Sequence, residues 1–172
     1  GYFNHTFMQA WADGLENEPV LEAGCGESSD LTKREKKMHH LVGIDPLPDD
    51  ILKNQGLKFK TIGVLEDLPF RDQYFAGYYS DSVYEHIDDP AAVLRDVKKV
   101  LRPGGSMFLT TVAFAANIDH IFMFEKVDDI RRLLADNGWR IVSDWPLPVY
   151  PGDAPDMVRR PMNYGALVVP VT

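Results

Sequence analysis

Residues 19–28, PVLEAGCGES, constrain the fold more than any other stretch of this chain. The apolar pair Val20-Leu21 ends at an acidic residue, Glu22, and runs into Gly24-Cys25-Gly26. That order reads as a strand, then a turn too tight for side chains, then a helix opening near Ser29 or Asp30. Glycines let the backbone enter unusual φ/ψ regions and let a ligand approach the main chain closely. The free amides of a following helix N-terminus face whatever sits above the turn. Such a pattern opens a nucleotide-type cofactor site in an α/β fold.

The identity of the cofactor rests on detail. A dinucleotide fingerprint wants Gly-x-Gly-x-x-Gly, and here Ser29 stands where the third glycine belongs. An acidic residue two places before the first glycine suits a ligand with an ammonium group better than a pyrophosphate. A second apolar segment, residues 41–44, ends at Asp45 and is stopped by Pro46, with Asp45 lying 23 residues after Glu22. An acidic residue at the end of a second strand, about 20 residues past a glycine loop, fits a ribose diol. The bland alternative is an Asp that caps the next helix.

Composition narrows the partners. A chain of 172 residues is expected to form one domain with a sizeable core. The net charge of −8 argues against nucleic acid, because phosphate binding needs a basic face. No apolar run approaches the roughly 20 residues of a membrane span, and no charged-then-apolar leader opens these residues. The single Cys25 cannot form an internal disulfide. A cytoplasmic protein without a membrane or nucleic-acid partner, monomeric or homodimeric, is the expectation.

Along the chain, Phe3, Phe7, Trp11 and Leu15 fall at four-residue spacing and predict an N-terminal helix. It either packs on the core or serves as a flap from which Tyr2 or His5 touches substrate. Residues 29–38 carry few apolar anchors and read as a short, mostly exposed helix. His39-His40 has no further ligand at metal spacing, so no metal site is expected. Residues 57–62, LKFKTI, alternate as a third strand, and 74–80 form a fourth. Pro90 opens an amphipathic helix with Val93, Leu94, Val97 and Leu101 on one stripe, and Arg102-Pro103-Gly104-Gly105 stops it. Residues 107–112 make a fifth strand, apolar on both faces as a covered parallel strand should be. Residues 125–137 make another amphipathic helix and 139–145 a sixth strand. Residues 146–165 hold five of the twelve prolines and read as a long connection, and 166–171 as a last strand.

Several segments together resemble class I S-adenosylmethionine-dependent methyltransferases of the small-molecule, type 11-like group. These are the Glu22-x-Gly24-x-Gly26 loop, Glu66-Asp67-Leu68-Pro69-Phe70 with Asp72 and Phe75, Glu85-His86-Ile87 with Asp89-Pro90, and Val100-Leu101-Arg102-Pro103-Gly104-Gly105. They run from about Val20 to Thr111. The resemblance implies a Rossmann-like α/β three-layer sandwich. Its sheet has seven strands, mostly parallel, with the last antiparallel, in a single methyltransferase domain preceded by a short helix. Ligands in such sheets sit beyond the carboxyl ends of the strands, where residues 22–28, 45–46, 63–67, 80–89 and 112–125 converge.

The resemblance also implies roles. Glu22 and the backbone of Gly24, Cys25 and Gly26 hold the methionine end of S-adenosylmethionine, Asp45 with Pro46 its ribose, and Ser80 lies near the methyl group. The family often has an Asp directly after the glycine at Gly63, where it takes the adenine amino group. This chain has Val64, so Glu66 or Asp67 substitutes, with the Leu65 amide against the ring. Methyl transfer to a hydroxyl or amine needs a base, and an imidazole suits that role. His86 is the first candidate, against a structural role, and His120 is the second. Tyr84 either shapes the acceptor pocket or packs. Arg159 and Arg160 either recognise an acceptor carboxylate or phosphate, or pair with Asp153 and Asp156. Three functions stay open: an active small-molecule methyltransferase releasing S-adenosylhomocysteine, a non-catalytic member that binds cofactor or a partner, and a NAD-type oxidoreductase.

Overall fold

The computed structural model describes residues 2–34, 37–115, 118–149 and 161–171. Helix α1 (Tyr2–Asp13) leads into strands β1 (Pro19–Ala23) and β2 (His40–Asp45), helix α2 (Pro48–Lys53) and strand β3 (Phe59–Ile62). Strand β4 (Phe75–Asp81), helix α3 (Pro90–Val100), strand β5 (Leu101–Ala113), helix α4 (Val127–Asp136) and strands β6 (Trp139–Pro148) and β7 (Met162–Pro170) follow. The sheet has seven strands in the order β3-β2-β1-β4-β5-β7-β6. Neighbours from β3 through β5 pair in parallel, whereas β7 runs antiparallel to both β5 and β6.

Period-2 alternation explains how the central strands hold two layers of helices. Leu21, Tyr78, Met107 and Leu109 join one buried cluster with Val93, Leu94 and Val97 of α3 and Ile130 and Leu134 of α4. Their strand neighbours Val20, Tyr79 and Phe108 join a second cluster with Met8 and Ala12 of α1 and Ile51 of α2. Strands apolar on both faces therefore sit between two helical layers, as a parallel sheet requires. The chain winds from β1 out to β3, then crosses back to β4 on the other side of β1. That reversal opens a crevice at the carboxyl ends of β1 and β4.

Local chemistry sets the helix ends. Asp89 accepts from the Ala92 amide at 2.9 Å and Pro90 occupies the first turn, which together start α3. At α4 the Asp129 carboxylate accepts from the Lys126 amide at 3.1 Å. Helix α1 meets the sheet through Met8, Ala12 and Trp11, whose Nε1 donates to Ser106 Oγ at 2.9 Å. The four-residue stripe through Phe7 drifts off this contact, because a helix repeats every 3.6 residues. Phe7 is accordingly part-exposed, and its ring stacks on Trp145 at 4.1 Å. The side chains of Tyr2 and Phe3 lie outside the described ones.

Two expectations are corrected. No helix follows the glycine loop among the described residues, where 30–33 form turns and Leu31, Thr32 and Arg34 are buried. Leu31 and Met38 fall on one helical face, but nothing apolar stands between them at i+3 or i+4 to complete a stripe. Ser29 and Thr32 instead satisfy one another's backbone amides, at 2.8 and 3.2 Å. Arg34 is buried in an ion pair with Asp13. The stretch 146–165 is likewise not one long irregular connection. Strand β6 runs through Pro146 and Pro148, which pair in register with Tyr164 and Met162 of β7. Prolines fit there because β6 is an edge strand and need not donate outward.

Candidate active site

The glycine turn is the floor of the crevice. Gly24 and Gly26 take φ of +64° and +49°, a region that favours glycine. A Cβ on Gly24 would come within 2.5 Å of Val83, while one on Gly26 would meet nothing within 4 Å. The first glycine is thus fixed by packing, and the second faces open space where a ligand can lie on the backbone. The Cys25 thiol turns away into the core. Burial first, then the Glu22 and Asp45 carboxylates, push its pKa up to about 12, so this residue offers its main chain only.

Two side chains, one at the end of β2 and one just after α2, hold the turn. Asp45 accepts from the Gly26 amide at 2.9 Å and from the Leu47 amide at 2.8 Å. Asn54, fully buried at 0% exposure, donates from Nδ2 to the carbonyls of Cys25 and Gly26 at 3.2 and 3.1 Å. Its Oδ1 accepts from the Gly56 amide at 3.1 Å. Asn54 was missed in the sequence, where a lone Asn near a helix end carries no signal. Pro46 is exposed beside Asp45.

Glu22 is the most unusual group here. It is 1% exposed, and its Oε2 has no hydrogen-bond partner. Burial pushes its pKa up to about 8, with a hydrogen bond from Ser29 opposing and the Asp81 and Asp30 charges adding to the rise. An orphaned buried carboxylate oxygen is costly unless a cation or donor meets it. Ser80, beside Ala23 in register, also has a buried Oγ without a partner. At the same edge, Gly63 donates to the Asp45 carbonyl at 3.1 Å. It leads through the exposed Val64 into a 3₁₀ turn, Leu65–Asp67, in which Glu66 is exposed and Leu65 is buried.

Beyond β4 and β5 lie two adjoining cavities. One, of about 230 Å³, is lined in part by His5, Asp30, Tyr79, Asp81 and Thr110. The other, of about 480 Å³, takes in Glu85, His86, Phe114 and His120, and both share Ser82 and Asn163. Ser82 and Phe114 adopt φ of 55° and 52°, strained values for residues with side chains. His86 and His120 are brought together, ring centroids 5.1 Å apart and edge to face. Nδ1 of His86 meets the Asp119 carbonyl at 2.9 Å, and Nδ1 of His120 meets the Ala115 carbonyl at 2.8 Å. Tyr84 lines neither cavity. It is 1% exposed in the core, with its hydroxyl 3.4 Å from that of Tyr78. Arg159 and Arg160 lie outside the described residues.

Glu22, Ser80 and the open face at Gly26 fit S-adenosylmethionine: a buried acceptor for an ammonium, and a bare backbone for close approach. Comparison with known proteins agrees. Residues 21–109 match a family described as the methyltransferase domain, just over half of the chain. A tRNA U34 carboxymethyltransferase from Nautilia profundicola is 31% identical over 107 residues, covering 57% of this chain and 35% of that protein. A ubiquinone biosynthesis O-methyltransferase from Marinobacter nauticus is 32% identical over 109 residues, covering 57% and 45%. This chain thus spans between a third and a half of the length of these relatives. A solved S-adenosylmethionine-dependent methyltransferase from Mesorhizobium loti superposes with a TM-score of 0.70 at 16% identity, over 90% of this chain and 91% of that one. With its sheet order, its glycine turn and the matched segment in agreement, the chain belongs to the methyltransferase domain family, whose cofactor is S-adenosylmethionine.

Proposed function

We propose that the chain transfers a methyl group to a hydroxyl or amine of a small-molecule acceptor. The observation that carries this reading is Glu22, a buried carboxylate with an unpaired oxygen at the open glycine turn, paired in register with Tyr79, which lines the smaller cavity. When bound, S-adenosylmethionine supplies a methyl group on sulfonium sulfur, open to in-line displacement. Glu22 pairs the ammonium of the methionine end. Asp45 keeps lone pairs beyond the two it lends to Gly26 and Leu47, and these accept from the ribose hydroxyls. The turn at Val64, Leu65 and Glu66 borders the adenine, and Ser80 borders the methionine chain.

The remaining residues position the acceptor and exclude water. In the neutral imidazoles, a proton on each Nδ1 donates to a main-chain carbonyl, which leaves Nε2 of His86 and His120 as the acceptor of a hydroxyl or ammonium proton. Neither cavity has a Lys or Arg among its described lining residues, while one carries Asp30 and Asp81. That lining suits a neutral or cationic acceptor. The net charge of −8 supports a small molecule over an RNA backbone, although one relative is named for tRNA. The test incubates the protein with S-adenosylmethionine and a panel of phenols and amines, following S-adenosylhomocysteine. Turnover with one acceptor class, reduced in His86→Ala or His120→Ala at saturating cofactor, supports the reading. S-adenosylhomocysteine binding without turnover on any acceptor overturns it in favour of a non-catalytic binder.

A further inference from the structure

We propose that Glu85, His86 and His120 form a binding site for a divalent transition-metal ion of the zinc class, open to the larger cavity. One ligand atom from each of the three lies within 4.8 Å of the others. Tetrahedral zinc, with bonds of about 2.0–2.2 Å, holds its ligand atoms about 3.4 Å apart. Closing the difference takes roughly an ångström of side-chain motion. His86, with 35% of its side chain exposed, has room to supply it.

The surroundings are those of a ligand set and not of a chance cluster. Metal-bound histidines characteristically donate their other ring N–H to a carbonyl or carboxylate, which fixes the ring and its tautomer. Both imidazoles do this, through Asp119 and Ala115. Glu85 is held by Thr111, whose hydroxyl donates to Oε2 at 2.8 Å. The backbone is also pinned. The amides of Ile121 and Phe122 donate to the Glu85 carbonyl at 2.9 and 3.0 Å, so the segment bearing His120 is stapled to the turn bearing Glu85 and His86. Glu85 is buried, and among the described residues no Lys or Arg pairs with it. A cation held between the carboxylate and the imidazoles compensates that charge.

Three protein ligands leave the fourth position of a tetrahedral ion facing the cavity of about 480 Å³. This is the ligand count of a catalytic rather than a structural site. Its further use rests on the methyl-transfer reading. With the ion bound, Nε2 of both histidines is occupied and takes no proton, so the ion replaces them in activating the acceptor: a hydroxyl in the open position would lose its proton to solvent and attack through its oxygen. Binding of the ion itself does not depend on that reading.

The experiment titrates cofactor-free protein with zinc chloride and with cobalt chloride, by calorimetry and by visible absorption. One ion per chain and the d–d bands of four-coordinate cobalt are expected. His86→Ala, His120→Ala and Glu85→Gln should each weaken binding at least about tenfold, while His39→Ala, an exposed control, should not. Circular dichroism checks folding. Glu85→Gln keeps the shape and the Thr111 contact should either alanine variant misfold. No saturable binding, or equal affinity in wild type and folded variants, overturns the proposal. Binding of S-adenosylhomocysteine is measured on the same samples. Intact cofactor binding without zinc binding refutes the metal site alone, and the converse refutes the cofactor assignment alone.

Discussion

The Gly26 amide donates to Asp45 Oδ2 at 2.9 Å, so a carboxylate at the end of β2 holds the turn that leaves β1. The same carboxylate caps Leu47 through its other oxygen. Asp45 therefore shapes the turn itself, besides the role toward the ribose proposed for it. Asp45→Ala should cost about 2–3 kcal/mol of stability without ligand, from the loss of hydrogen bonds to a charged group. It should also raise the dissociation constant of S-adenosylhomocysteine at least about tenfold. Asp45→Asn separates the two effects, because it keeps an acceptor for Gly26 but loses the charge. Calorimetry on the Asn variant decides: wild-type affinity there leaves Asp45 a purely structural role.

Glu22 should make both stability and cofactor binding pH-dependent. Its pKa is raised from 4.5 to about 8 in the folded chain, chiefly by burial. Between those values the folded protein keeps a proton that the unfolded chain has released. Stability of the free protein then falls as pH rises from about 4.5 to about 8 and levels off above. Glu22→Gln, which cannot ionise, should flatten this decline in urea titrations across the window. A ligand ammonium favours the ionised form, so binding at pH 7 should release close to one proton. Calorimetry in buffers of different ionisation enthalpy reads that number, and zero release would exclude Glu22 as the ammonium partner.

Asn54 is expected to act on cofactor affinity without touching the cofactor. Removing its amide leaves the Cys25 and Gly26 carbonyls without their clip. Asn54→Ala should cost about 1–3 kcal/mol, and the loosened turn should weaken S-adenosylhomocysteine binding. Asn54→Asp, which sets a carboxylate against two carbonyls, should be worse on both counts. Thermal unfolding with and without ligand checks this, and equal ligand-induced shifts in wild type and variants would show that the turn holds its shape unaided.

What the sequence revealed and what it hid have physical causes. Strands β1, β4 and β5 were legible because both of their faces are apolar, and Asp45 because its distance from the glycine loop is set by one strand-to-strand crossing. The prolines at 146 and 148 misled, since only the finished sheet shows that β6 is an edge. The polar residues in 29–38 suggest a solvated helix, whereas among the described residues 30–33 form turns and Leu31, Thr32 and Arg34 are buried. Asn54 gave no signal, and although His86 and His120 stand out singly as candidate bases, nothing in the sequence marks them and Glu85 as neighbours. Their contacts are made by folding residues from separate segments together, and no spacing in the chain records them.

The last prediction concerns the adenine end, where Val64 takes the place of the family's frequent Asp. Val64 is 46% exposed and precedes the 3₁₀ turn Leu65–Asp67 without a side-chain cap. Little packing is lost on replacing it, and an Asp there is a favoured N-terminal residue for a helical turn. Val64→Asp should therefore fold with stability within about 0.5 kcal/mol of wild type, the usual range for surface substitutions. If the adenine lies against this turn, the new carboxylate accepts from its exocyclic amine. Affinity for S-adenosylhomocysteine should then rise several-fold, consistent with about 1 kcal/mol for one added hydrogen bond. The hypoxanthine analogue, which lacks that amine, should gain nothing. Calorimetry with both ligands checks the assignment: equal gains, or none, would move the adenine away from residues 64–66.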